Sequence, residues 1–257
     1  RRSTARHGGR AMRRLAPAWA WGIAAFLALA AFPTPLRPAT QPPPDSAAGL
    51  ARLEQAVTAA PDDLRVHSEY RQAVIAAKQY DRAIGFYEKL AAAHPKAANV
   101  FLNWGYAYVD KIPDAGAITQ VILANTAVTH FTEALSRERS WLSLYTRGNS
   151  YLYWPTIFGR APLGIADLEE AVRVSRAAPK RSYHAHAWVA LGDAYLKVDQ
   201  PEKARSTWSE ALKLFPGDAD LAARLGRQGD DLKAFVDSQH DHTQRVDTDL
   251  KEIWSQP

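Results

Sequence analysis

The chain of 257 residues contains no cysteine. That excludes a disulfide framework, a thiolate metal site, a cysteine nucleophile and a cysteine-linked lipid. It leaves the redox compartment open. No glycine-rich phosphate loop, zinc-protease helix motif or nucleophile elbow occurs, so the sequence offers no catalytic residues and asks for no cofactor. Two His-x-His pairs, His184/His186 and His240/His242, are the nearest approach to a metal motif. On a helix, residues i and i+2 point about 200° apart, so neither pair chelates there.

A basic domain is also missing, although the net charge is +5. Residues 1–30 hold six arginines, at positions 1, 2, 6, 10, 13 and 14, and no acidic residue. Without them, 26 basic residues face 27 acidic ones, so the rest of the chain is nearly neutral. Nucleic-acid binding requires a basic face on the folded domain, and none is indicated.

The basic N-terminus reads as a targeting segment. Arg13-Arg14 precede an apolar run from Leu15 to Phe32, and prolines 33, 35, 38 and 42–44 follow. A charged n-region, an apolar h-region and a helix-stopping linker make a signal or anchor over 1–32 and a Pro-rich linker over 33–46. Ala28-Leu29-Ala30 is a small-x-small cleavage site, while 18 apolar residues reach the short limit of a membrane span. A cleaved signal and a retained membrane anchor both remain open, and Met12 is a candidate start of the segment. The positive flank stays cytoplasmic. The expectation is therefore an exported protein, periplasmic or anchored in the inner membrane facing the periplasm.

Beyond residue 46 a phrase recurs. It reads Ala83-x-x-x-Tyr87-x-x-Leu90, then Ala127-x-x-x-Phe131-x-x-Ala134, then Ala204-x-x-x-Trp208-x-x-Ala211. A partner phrase recurs as well: Trp104-Gly105-x-x-Tyr108, Arg147-Gly148-x-x-Tyr151 and Leu191-Gly192-x-x-Tyr195. Small and large residues at these offsets share one helix face. Self-similarity at a fixed period means stacked helical hairpins. The expected fold is an all-α solenoid over 47–236: an opening helix from Ala47, repeats at 62–95, 96–139, 140–180 and 182–216, and a cover carrying Leu221, Leu225, Leu232 and Phe235.

The phrases resemble the tetratricopeptide repeat family. That resemblance implies a scaffold that binds other polypeptides, with the first helix of each hairpin lining a concave groove. By that register Leu102, Tyr106, Tyr145, Asn149, Leu152, Tyr153, His186, Val189 and Asp193 line the groove. The lining is aromatic and apolar, which suits an amphipathic helix or an aromatic-rich strand. Asn103 and Asn149 lack the accompanying lysines that gripping a peptide carboxylate would need. The tail, 237–257, carries Val246, Leu250, Ile253 and Trp254 at helical spacing and is a candidate to fold into the groove or dock on a partner.

Two repeats break the period. From first-helix tyrosine to second-helix small residue the interval is nine positions in Tyr195–Ala204, nineteen in Tyr108–Ala127 and thirteen in Tyr151–Gly164. Both additions fall at the same turn of consecutive hairpins and should emerge together on one edge, where insertions often mark a binding face. Trp154-Pro155 and its following glycine turn resemble a variation seen in bacterial exported repeat proteins. The expected packing has Trp154, Ile157 and Phe158 covering Ile118 and Ile122, with Asp110, Lys111 and Arg160 at the rim. The function expected from all this is an extracytoplasmic adaptor holding an unidentified protein or peptide in the groove or at the insertion edge. The alternative is a small-ligand-binding component of an envelope transport system.

Overall fold

The computed structural model describes residues 41–255. The n-region and apolar run at 1–32, with most of the 33–46 linker, lie outside the described residues. Among the described residues no helix is long and apolar enough to cross a membrane.

An opening helix, α1 (Ala47–Ala59), leads into four hairpins. They are α2/α3 (Leu64–Ala77, Tyr80–Ala93), α4/α5 (Ala98–Lys111, Ala117–Arg137), α6/α7 (Trp141–Ser150, Ala161–Ala177) and α8/α9 (Ala185–Lys197, Pro201–Leu214). Then follow α10 (Ala219–Leu225), α11 (Gly229–Gln239) and a single turn, α12 (Lys251–Trp254). No strand occurs among the described residues. Helix starts are set by short polar side chains that satisfy the first free amides. Ser46 accepts from the Gly49 amide at 3.0 Å, Asp63 from Arg65 at 2.8 Å, and Asp218 from Leu221 at 2.9 Å.

The recurring phrase is the core. Ala83, Tyr87, Ala127, Phe131, Leu168, Ala171, Ala204, Trp208 and Ala211 are each at most 1% exposed. Each large side chain in this row contributes roughly 1.5–3 kcal/mol by leaving water. The glycines of the partner phrase let the two helices of a hairpin touch. A Cβ on Gly105 would lie 2.4 Å from the Phe131 ring, and one on Gly148 2.7 Å from Leu168.

The insertions alter two hairpins. In the second, a 3-10 turn (Ile112–Asp114) follows α4, and α5 has 21 residues against 14 in α3 and in α9. In the third, two 3-10 turns (Tyr151–Tyr153 and Thr156–Phe158) separate α6 from α7. Pro113 and Pro155 stand in these segments, where a missing amide costs no helical bond.

Candidate functional site

The concave side is organised by a buried arginine. Arg71 on α2 is 0% exposed. Its Nε donates to Asn103 Oδ1 at 3.0 Å, and Nη1 donates to Asp110 Oδ2 at 3.1 Å, both on α4. An ion pair this deep survives only when its remaining hydrogen-bonding capacity is satisfied. The tail supplies the rest: Arg71 Nη1 donates to Thr248 Oγ1 at 2.8 Å, Nη2 donates to the Thr248 carbonyl, and the Thr248 hydroxyl donates to Asp110. Burial raises the Asp110 carboxyl above its ordinary value, against the pull of Arg71 and Thr248.

The tail therefore lies in the groove. His240 bonds Asp193 at 2.9 Å beneath α8. Arg245 donates to the Asp110 carbonyl at 2.8 Å and reaches Tyr80 and Asp114, each at 3.1 Å. Ser68 donates to Asp249 at 2.8 Å and accepts from the Leu250 amide at 3.3 Å. Glu252 meets His186 at 2.9 Å. The spacing of Val246, Leu250, Ile253 and Trp254 predicts a continuous helical stripe, but only 251–254 is helical. Asp247 accepts from the Asp249 amide and Asp249 from the Lys251 amide, at 2.9 and 3.0 Å. Such local side-chain bonds compete with the helix and keep 247–250 out of it.

Asp193 is 0% exposed and is gripped at 2.6 and 2.7 Å by the Arg224 fork. Burial works to raise its carboxyl, but bonds from Arg224 and His240 outweigh it and leave the carboxyl below its ordinary value.

Beside the tail, the two insertions wall a cleft of about 300 Å³. Tyr106, Tyr145, Asn149, Tyr153, Trp154 and Phe158 line it together with Val121, Ala124 and Val128 of α5, and the tail closes one side with Gln244, Val246 and Asp247. Trp154 is 8% exposed and meets Phe158 edge-on at 5.6 Å. The Arg160 guanidinium lies 4.6 Å over the Trp154 ring and donates to Asn125 at 3.3 Å, which joins the insertions. Tyr106 shares a 2.6 Å hydrogen bond with Thr146, and Tyr145 stacks on Trp141 at 5.1 Å. Burial raises the phenols of Tyr106, Tyr145 and Tyr153, so all three remain protonated donors at neutral pH.

Of the residues singled out in the sequence, five therefore meet in the cleft: Tyr106, Tyr145, Asn149, Tyr153 and Trp154. Arg160 stands at its rim. His186 and Asp193 instead hold the tail. Leu102 is 0% exposed within the apolar core and presents no surface. Val189 is buried as well, and its carbonyl accepts from the Trp208 indole at 3.2 Å. The expected packing of Trp154, Ile157 and Phe158 over Ile118 and Ile122 does not form: Ile118 is 81%, Ile122 59% and Ile157 91% exposed. Trp154 is instead used up by Phe158 and Arg160, and α5 turns Ala124 and Val128 toward the cleft. Asp110 is not a rim charge, because Arg71 draws it inward. Sequence reasoning missed Arg71, Ser68, Thr248 and Arg224. Each acts through a partner remote in sequence, and no local spacing signals such a pair.

Comparison with known proteins matches a tetratricopeptide repeat family model to residues 185–227. Over 42 residues, 16% of this chain, the sequence is 48% identical to tetratricopeptide repeat protein 21B of Xenopus laevis, and the match spans 3% of that protein's length. A thermophilic TPR protein of Thermus thermophilus, known from its crystal structure, has a similar fold. The likeness covers 70% of this chain and 88% of that one, with a TM-score of 0.51 and 20% sequence identity.

Proposed function

Because the chain is a tetratricopeptide repeat protein, we propose that it is a non-catalytic interaction scaffold that receives a polypeptide at the edge built by its two insertions. One observation carries this reading. Seven large hydrophobic residues are strongly exposed among the described residues, and six of them (Ile118, Val121, Ile122, Ile157, Phe158 and Leu163) belong to the insertions; Leu214 is the exception. Apolar exposure concentrated in one place, rather than scattered singly, marks an interaction surface. Val121 and Phe158 of this set line the cleft, which offers an apolar or aromatic side chain of the partner a pocket with phenol and amide groups. The tail already fills the polar part of the groove, which leaves the edge as the free surface.

The scaffold acts outside the cytoplasm in this reading. The support is the run from Arg13-Arg14 through Phe32 and the proline-rich stretch after it. A reporter active only outside the cytoplasm, fused after residue 50, should be active; activity confined to a cytoplasmic reporter would overturn the location. Photo-crosslinkers placed at 118 and 157 should capture the same polypeptide, while one at 210, on exposed α9, should not. Equal capture from all three positions would overturn the edge as the site.

A second reading, a small apolar ligand inside the cleft, draws on its aromatic lining and on the tail that closes one side. A small ligand would quench Trp154 fluorescence while leaving crosslinks from 118 and 157 unchanged. A docked polypeptide alters both.

A further inference from the structure

We infer that the tail is a displaceable ligand of its own groove, and that the groove is a receptor for a non-helical partner peptide of the pattern Arg-x-x-Thr-x-Leu. This concerns the groove beneath the tail; Gln244, Val246 and Asp247 also wall the cleft, so displacement of the tail opens the cleft on that side.

The contacts are mostly polar and specific, with Leu250 as the one residue of the tail that enters the apolar core and Ile253 and Trp254 packed against it. Only His240, Thr248 and Leu250 of residues 240–255 are buried. The groove reads side chains and main chain at three points of an irregular, non-helical segment. Arg245 meets Asp114 and Tyr80. The Thr248 hydroxyl and carbonyl meet Asp110 and Arg71. The Leu250 amide meets Ser68, and its side chain is buried. Main-chain bonds supply affinity in this mode, and alternate side chains supply specificity.

The receptor keeps its own ion pairs when the tail leaves, and water takes the positions of the Thr248 hydroxyl and carbonyl on Arg71 and Asp110. Arg71 keeps Asn103 and Asp110. Asp193 loses His240 and keeps both arms of Arg224. Neither buried charge is left alone, so vacating the groove avoids the large penalty of an unpaired buried ion. An exposed turn at 242–244 joins the tail to α11 and can swing without unpacking a hairpin. An incoming peptide needs an unmodified hydroxyl, because the Thr248 position is buried and its oxygen is already wedged between Arg71 and the Asp110 carboxylate, which leaves a phosphate no room.

The test uses the full chain and a fluorescent peptide of residues 242–255. Thr248→Val keeps the side-chain volume and removes the hydroxyl that meets Arg71 and Asp110. The Thr248→Val chain should bind the peptide at least tenfold tighter than the wild-type chain, and Arg245→Ala should act likewise. A peptide carrying valine or phosphothreonine at the 248 position should not compete. Circular dichroism should show both variants folded. In wild type, amides 248–254 should exchange hydrogen through a local opening well before those of α8 and α9. Exchange of 248–254 only with global unfolding would make the tail a fixed part of the fold and overturn the proposal. So would equal peptide affinity in variant and wild type, or equal competition by the valine peptide. A dimer formed by exchange of tails, seen as a doubled mass in sedimentation, would assign the groove to a second copy and overturn the partner peptide.

Discussion

Gly192 faces the indole of Trp208 so closely that a Cβ at 192 would lie 2.0 Å from Nε1. Trp208 is 0% exposed and fixed by its bond to Val189, so it has nowhere to retreat. Gly192→Ala should therefore cost about 1–3 kcal/mol by overpacking. Gly85, inside α3, has nothing within 4 Å of its missing Cβ. Gly85→Ala should gain up to about 1 kcal/mol from helix propensity. Urea denaturation of the two variants, with opposite shifts in midpoint, checks the hairpin register.

Trp154→Ala should destabilise both insertions, by roughly 2–4 kcal/mol. It removes the ring against Phe158 and under Arg160, and Arg160 in turn holds Asn125. Hydrogen exchange should accelerate across 117–125 and 156–163 while 204–211 stays protected.

Arg71→Met strands the Asp110 carboxylate in the interior and should cost about 3–5 kcal/mol. Adding Asp110→Leu should recover much of that loss, because the double variant leaves no buried charge. A double-mutant cycle measures the coupling. Additive costs would show that the pair does not interact.

Ile157→Asp and Ile118→Glu replace solvent-facing side chains and should shift stability by no more than about 0.5 kcal/mol. Both should abolish photo-crosslinking of the partner from the neighbouring position. Retained capture with unchanged stability would remove the edge from consideration.

Stability should fall in mild acid. Burial lowers His67 to about 4, where its ring also bonds the Pro61 carbonyl, and burial lowers His130 to about 4 between Trp104 and Tyr108. An unfolded histidine titrates near 6.5. The unfolded chain therefore takes up protons first. The contribution is complete above pH about 6.5 and is lost as pH falls toward 4, on the order of 3 kcal/mol for His67 alone. Asp110, whose carboxyl is raised, has the opposite sign and softens the loss at the acid end. Denaturation midpoints between pH 7.5 and 4.5 should decline, and His130→Phe should flatten the slope.

The hairpins were legible because their information is local. Ala204, Trp208 and Ala211 announce a helix face, Gly192 announces what touches it, and the extra residues after Tyr108 and Tyr151 mark where the period breaks. Four of the cleft residues, Tyr106, Tyr145, Asn149 and Tyr153, follow from that register, and Trp154 follows from the insertion. The outward turn of Ile118 and Ile157 was not legible, because hydropathy says that a side chain prefers burial and not whether a neighbour is available. Nor was the fate of Asp193, whose partners Arg224 and His240 lie 31 and 47 residues away. The tail misled for a different reason. Its apolar spacing is helical, but Asp247, Thr248 and Asp249 cap and pair with groups that a helix would have used itself.

The bond from Arg71 to Thr248 spans 177 residues. A repeat array ordinarily senses only its neighbours, so it frays from whichever end is weaker. Here the tail that follows α11 is fastened to the first hairpin, which couples the two ends. Fraying of α2 releases the tail, and release of the tail uncovers α2. Closing so long a loop comes late in folding and slows it, because its entropy must be met before the contact forms. Under mechanical load the order reverses. A pull on the C-terminus is borne first by Glu252 on His186 and then by Leu250 and Thr248, so the groove would empty while every hairpin behind it was still intact.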